Sequence, residues 1–293
     1  MKFTSHSDYD KLESVLIKPV VNAFVSDALL KNQWRSLHFL KQPDFKTSLK
    51  EYADFEMILQ SQGVEINYLP LHEELSIDSI YCRDASVATD FGMIICNMGK
   101  AERNLEPAAQ RAYFERHDLL VLGEISSPGT LEGGDVAWLD KNTLAVGHTY
   151  RTNTSGIEQL KSLLEPRGVQ IVVVELPHYK GASDVFHLMS IFSPVAEDLA
   201  VVYSPLMPIA FRKELIKRGF ELVEVPENEF DNMACNVLAL GPRKCLMMHG
   251  NPVTEQNLLQ KGCEVFSYTG EHISLLGGGG PTCLTRPLQR SYM

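Results

Sequence analysis

The chain has 293 residues, 44% of them apolar and 22% charged, with a formal net charge of -10 and a pI near 5.4. That size and composition suit a folded globular protein able to bury a large core. The acidic balance argues against a nucleic-acid backbone as partner and permits a cationic small molecule, and no apolar run reaches membrane-spanning length.

The first residues, MKFTSHSDYDKLESVLIKP, turn polar at once and lack the apolar stretch of an export signal, so a cytoplasmic protein is expected. Short β-rich runs then alternate with helical ones. Strands are predicted at Leu12 to Ile17, Val64 to Tyr68, Ser86 to Asn97, Leu119 to Leu122, Val136 to Leu139, Thr143 to Gly147 and Ile171 to Val174. Others are predicted at Leu199 to Tyr203, Phe220 to Val225, Val237 to Leu240, Lys244 to Met248, Cys263 to Ser267 and Ile273 to Leu275. Helical periodicity fits Asp44 to Gln62, Glu106 to Arg116, Ser155 to Glu165, Ile209 to Lys217 and Thr254 to Gln260, with Ser155 and Glu158 spaced as a capping box.

Asp135 to Val174 reads strand, turn, strand, helix, strand, and Asn236 onward repeats that order. Ser86 to Leu122 fits a further copy with a longer excursion between its strands. Repetition of element order points to a radially repeated α/β architecture, here a single domain over residues 1–293, against the alternative of two αβ domains. Six cysteines (Cys82, Cys96, Cys235, Cys245, Cys263 and Cys283) include no CxxC pair. Counting alone leaves a disulfide set open; the absence of an export signal favours reduced thiols.

Three stretches carry candidate chemistry: LLGGGGPTC ending at Cys283, LEGGD with Glu132 and Asp135, and FHLMS with His187. A thiol, an imidazole and a carboxylate are the parts of covalent catalysis by a thiolate. The glycine run lacks the Lys-Ser or Lys-Thr of a phosphate loop and suits close backbone approach instead. Each residue also has an ordinary reading: Cys283 as a buried cysteine after a glycine turn, His187 as a core histidine, Asp135 as a partner of loop backbone. Asp84, in YCRDAS, would then pair with Arg83, and Arg103 and Arg151 would be surface charges.

Taken in order, DYDKLESVLIKP, YCRDAS, LEGGD, VGHTYRTNTSGIEQL, FHLMS and GGGGPTCLTRPL resemble the guanidine-modifying enzymes of the pentein superfamily, over nearly the whole chain. These include arginine deiminases, dimethylarginine dimethylaminohydrolases and amidinotransferases. The resemblance implies a five-bladed α/β propeller of repeated ββαβ modules. It also implies Cys283 as nucleophile, His187 as acid and base, Glu132 contacting substrate and histidine, and Asp84 binding guanidinium. Family arginines that hold the substrate α-carboxylate lie nineteen residues beyond each acid, at Arg103 and Arg151. Their presence implies a free amino acid resembling arginine.

One position departs from the deiminase pattern. Deiminases carry HLD, whereas this chain has His187-Leu188-Met189, so an apolar side chain replaces the acid that grips the unsubstituted end of the guanidinium. Met189 therefore favours N-methylated arginine, hydrolysed to citrulline and methylamine or dimethylamine. The chain also lacks the length of a typical deiminase with its helical insertion. The RDAS stretch is more deiminase-like. Arginine deiminase, hydrolysis of another N-substituted arginine, amidino transfer and non-catalytic guanidine binding remain alternatives. The scheme requires no metal or organic cofactor, and homo-oligomerisation stays open.

Overall fold

A short run that is apolar at successive positions suits a strand covered on both faces. Leu199–Val202 (LAVV) is such a run, buried at every position; Ser86–Thr89 (SVAT) is buried throughout as well, its polar ends included. In the computed structural model, which describes residues 2–292, these strands belong to two of five small sheets. Four sheets share one plan: two antiparallel strands, a helix, then a third strand parallel to the second.

The first of these joins Ser86–Thr89, Gly92–Ile95 and Val121–Glu124 through helix Glu106–Arg116. The second joins Val136–Asp140, Thr143–His148 and Gln170–Glu175 through helix Thr154–Leu164. Phe192–Ala196, Leu199–Val202 and Glu221–Glu224 with helix Ile209–Lys217 form the third. Leu238–Gly241, Lys244–Met248 and Glu264–Tyr268 with helix Pro252–Gln260 form the fourth. In the second module Ile157, Leu160 and Leu164 lie on one helix face and are buried against the strands. Burial of each such side chain stabilises the module by roughly 1.5–3 kcal/mol.

The fifth sheet is assembled from both chain ends. Arg286–Tyr292 runs antiparallel to Lys11–Ile17, which is parallel to Glu65–Tyr68, with helix Phe45–Ser61 between the latter two; Lys2–Thr4 adds on the outer edge of Arg286–Tyr292. The fold is the five-bladed α/β propeller. Among the described residues no helix is long and apolar enough to cross a membrane.

Several expected elements differ. Ser86 to Asn97 is two strands, because the chain reverses at Asp90 and Phe91 and Gly92 takes a positive φ of 118°. Ile273 to Leu275 lies in a π-helical turn, Glu271–Leu275, where Glu51 accepts the backbone N–H groups of His272 and Ile273. The expected capping box at Ser155 is not the helix start. Asn153 caps it, accepting from the Gly156 N–H at 2.8 Å. Three strands, Lys2–Thr4, Phe192–Ala196 and Arg286–Tyr292, are not expected from the sequence. Phe192–Ala196 contains Pro194, which argues against a strand, and its ladder is irregular there. Arg286–Tyr292 (RPLQRSY) shows no apolar alternation, and its two arginines are buried where the ring closes around them.

Candidate active site

Each module delivers one polar side chain from the loop that precedes its first strand. Asp84 stands ahead of Ser86–Thr89, Glu132 ahead of Val136–Asp140, His187 ahead of Phe192–Ala196, Asn236 ahead of Leu238–Gly241 and Cys283 ahead of Arg286–Tyr292. Asp84, His187, Asn236 and Cys283 line one cavity of about 100 Å³. Glu132 is fully buried behind the imidazole and is not among the residues of the cavity wall.

The His187 Nε2 lies 2.8 Å from Glu132 Oε2, and its Nδ1 is 3.9 Å from Asp84 Oδ1. This approach needs a glycine at 134, since a Cβ there would sit 2.5 Å from His187 Nδ1 and 2.7 Å from Asp84 Oδ1. Burial works against a charged imidazole, yet Asp135, Asp84 and Glu132 outweigh it and raise its pKa to about 9. Burial likewise opposes the Glu132 carboxylate, but His187 and Arg151 hold its pKa well below the usual range. Asp135 anchors the histidine segment, accepting the Leu188 N–H at 3.0 Å and the Thr149 hydroxyl at 2.7 Å. Burial pushes its carboxyl up to about 6.

All six cysteines are free, and five are buried; Cys283 alone is part-exposed. Burial and the nearby Asp84 charge push its thiol up to about 11, against the lowering effect of Asn236 and Thr282. Asn236 donates from Nδ2 to Cys283 Sγ at 3.4 Å and accepts at Oδ1 from the Thr282 N–H and hydroxyl, at 3.0 and 2.8 Å. A Cβ at Gly280 would fall 2.5 Å from that oxygen, which accounts for one glycine of the run.

The arginines are buried ion-pair partners, so the surface-charge reading is wrong. Arg103 donates from Nε and one terminal nitrogen to Glu106, both at 2.8 Å, and from the other to Asp84 at 2.5 Å. Arg151 sits 3.3 Å from both oxygens of Glu132. Arg83 pairs with Asp8 at 2.7 Å rather than with Asp84. Arg103 also lines an adjoining cavity of about 350 Å³, together with Arg151, Lys100 and Lys180. Met189 is buried and lines the smaller cavity beside His187.

The ligand atoms of Asp84, Glu132 and His187 lie within 4.8 Å of one another, the spacing of a metal site. Each carboxylate already neutralises an arginine, so a metal ion would compete with two guanidinium groups for the same oxygens. Asn236 carries no motif in the sequence. Its only signal is its phase, ahead of a module's first strand in ACNVLAL.

The family described as N,N dimethylarginine dimethylhydrolase, eukaryotic, matches residues 27–290. The chain is similar to an N(G),N(G)-dimethylarginine dimethylaminohydrolase of Streptomyces coelicolor, 29% identical over 83% of this chain and 90% of that protein. It is also similar to an arginine deiminase of Mycoplasma capricolum, 24% identical over 92% of this chain and 76% of that protein. Among solved structures, SxtG, an amidinotransferase from Microseira wollei, aligns with a TM-score of 0.81 at 16% identity, covering 99% of this chain and 98% of that one, a likeness of fold.

Proposed function

The chain belongs to the N,N-dimethylarginine dimethylhydrolase family, in the guanidine-modifying superfamily, and from that premise we propose that it hydrolyses the guanidinium of an arginine-type amino acid on the Cys283 thiol. The coarser reaction, hydrolysis or transfer at the guanidinium of an arginine-like substrate, follows from the family and its relatives. The observation that carries the finer reading is the meeting of Cys283, His187 and Asp84 on one cavity, with Glu132 holding the far nitrogen of the imidazole.

The electrostatics favour a cationic head group. Asp84, Glu106, Glu132 and Asp135 face Arg103, Arg151 and the His187 imidazolium, one negative charge in excess. With the thiol at about 11 and the imidazole at about 9, the resting pair at neutral pH is a neutral thiol beside an imidazolium. His187 is then an acid, not the base that deprotonates Cys283. The arriving guanidinium places positive charge beside the sulfur and favours loss of the thiol proton to solvent.

Attack of the thiolate on the guanidinium carbon gives a tetrahedral intermediate. His187 protonates the departing amine from Nδ1, because Nε2 is held by Glu132. The amine leaves and a thiouronium remains. Neutral His187 then takes a proton from water as it attacks the same carbon, and the carbon–sulfur bond breaks to release citrulline and thiolate. The adjoining cavity is lined by Arg103, Arg151, Lys100 and Lys180 together with Asp78, Asp184 and Asp231, so a substrate carboxylate there would share cations that already carry carboxylate partners.

Met189 at the cavity wall supports an N-substituted arginine, since a thioether packs against alkyl groups and offers no charge to a bare amino group. A second reading, arginine itself, is favoured by the deiminase-like sequence stretch Arg83 to Ser86 and by the deiminase relative. Citrulline and amines should be quantified from arginine, monomethylarginine, asymmetric dimethylarginine and agmatine. Citrulline with alkylamine from the methylated substrates is expected, with agmatine poor; ammonia from arginine alone would favour the second reading. Cys283→Ser should lower kcat/KM by more than about 1,000-fold with little change in Tm. Wild-type-like turnover by that variant would rule out the thiol mechanism.

A further inference from the structure

Three arginines away from the catalytic cavity are buried with too little negative charge. Arg83, Arg286 and Arg290 are 2%, 4% and 1% exposed. Arg83 reaches Asp8 at 2.7 Å, while Arg286 donates to the Ser86 carbonyl at 2.9 Å and Arg290 to the Ala239 carbonyl at 2.8 Å and to that of Asp10. Asp8 is the carboxylate in direct contact with this group, and its second oxygen is taken by the Trp138 N–H at 2.7 Å. Among the described residues, Arg83 Nε and its second terminal nitrogen, Arg286 Nε, and Arg290 Nε and one terminal nitrogen make no hydrogen bond.

A guanidinium does not shed its proton at physiological pH, so these charges persist. An uncompensated buried charge costs several kcal/mol, and orphaned donors add to that. Burial and the neighbouring Arg83 charge weigh against the Arg286 guanidinium, pushing its pKa down to about 9. Beside it lies a cavity of about 20 Å³, lined by Ser5, Ser7, Asp8, Arg83, Trp138 and Arg286. A space of roughly 10–15 Å³ on this measure already admits one water-sized sphere.

We propose that this cavity binds one small monovalent anion of the chloride class, bridging Arg83 and Arg286. A chloride accepts several N–H bonds at once and supplies the charge that Asp8 alone cannot. The Ser7 hydroxyl, which accepts from the Tyr9 and Asp10 N–H groups, keeps its own hydrogen as a further donor on the same wall. Because Arg286 begins the strand that closes the ring and Arg83 adjoins Asp84, the anion would fasten the two chain ends where the catalytic loops are rooted.

Thermal unfolding of the full chain should be followed while chloride replaces gluconate at constant ionic strength. Tm should rise with saturation by about 2–5 °C. Arg286→Met should lose that dependence, whereas Arg103→Met should keep it. A crystal equilibrated with bromide should show its anomalous peak between Arg83 and Arg286, a result that does not require any variant to fold. Equal Tm in chloride and gluconate, bromide found only at Arg103 and Arg151, or water alone in the cavity would each overturn the proposal.

Discussion

Asn236 fixes the orientation of its own amide. Its oxygen accepts two bonds from Thr282, so its nitrogen must face the Cys283 sulfur. Donation to sulfur favours the thiolate, opposing the burial and Asp84 charge that push the thiol up to about 11. Asn236→Asp keeps the acceptor for Thr282 but removes the donor and adds a negative charge, so the thiol should rise further. A thiol with a raised pKa holds less thiolate at every pH below it. Alkylation of Cys283 by iodoacetamide near neutral pH should therefore slow about tenfold per unit of rise, with the whole pH profile displaced upward. Asn236→Ser, which can still donate, should recover part of the rate. An unchanged alkylation profile in Asn236→Asp would leave Asn236 a packing residue.

Helix Thr154–Leu164 begins at a junction rather than at a local motif. Asn153 accepts the Gly156 N–H at 2.8 Å and the Thr130 N–H at 3.1 Å, and it donates to the Pro128 carbonyl at 2.9 Å. One side chain thus caps the helix and ties it to the loop leading to Glu132. Asn153→Ala should destabilise the protein by about 1–2 kcal/mol, read from the urea midpoint at constant m. A loss of a few tenths would mean that water replaces the cap. The helix itself was legible from its apolar spacing at Ile157, Leu160 and Leu164; its cap was not. Ser155 and Glu158 satisfy the same local rule, and only the nearness of Thr130 selects Asn153. Ile273 to Leu275 shows the same limit, since Glu51, far away in the chain, takes the N–H groups that a strand would have paired.

Across the whole molecule, ring closure rests on the two ends of the chain. Arg286–Tyr292 supplies the missing first strand of the module begun at Lys11–Ile17, and Asp8 links this end of the chain to Arg83 and Trp138. Asp8→Asn would leave the surrounding guanidinium groups without their carboxylate. Removing one partner of a buried pair costs about 3–5 kcal/mol, and urea unfolding should show a loss of that size. A change under about 1 kcal/mol would show that the arginines are neutralised by something other than Asp8.

The sequence by itself determined most strands, the five long helices and the repeated plan of the modules at Asp135 and Asn236, because strand and helix periodicities depend on neighbours a few residues away. It also marked Asp84, Glu132, His187 and Cys283 as unusual, through the glycines and motifs around them. The tertiary structure alone decided which charges meet. It gave Arg103 to Asp84 and Glu106, set Glu132 behind the imidazole, brought Asn236 to the sulfur and buried the two arginines of strand Arg286–Tyr292. Such pairings depend on distance and burial across a closed ring, and residues remote in the chain acquire both only when its ends join.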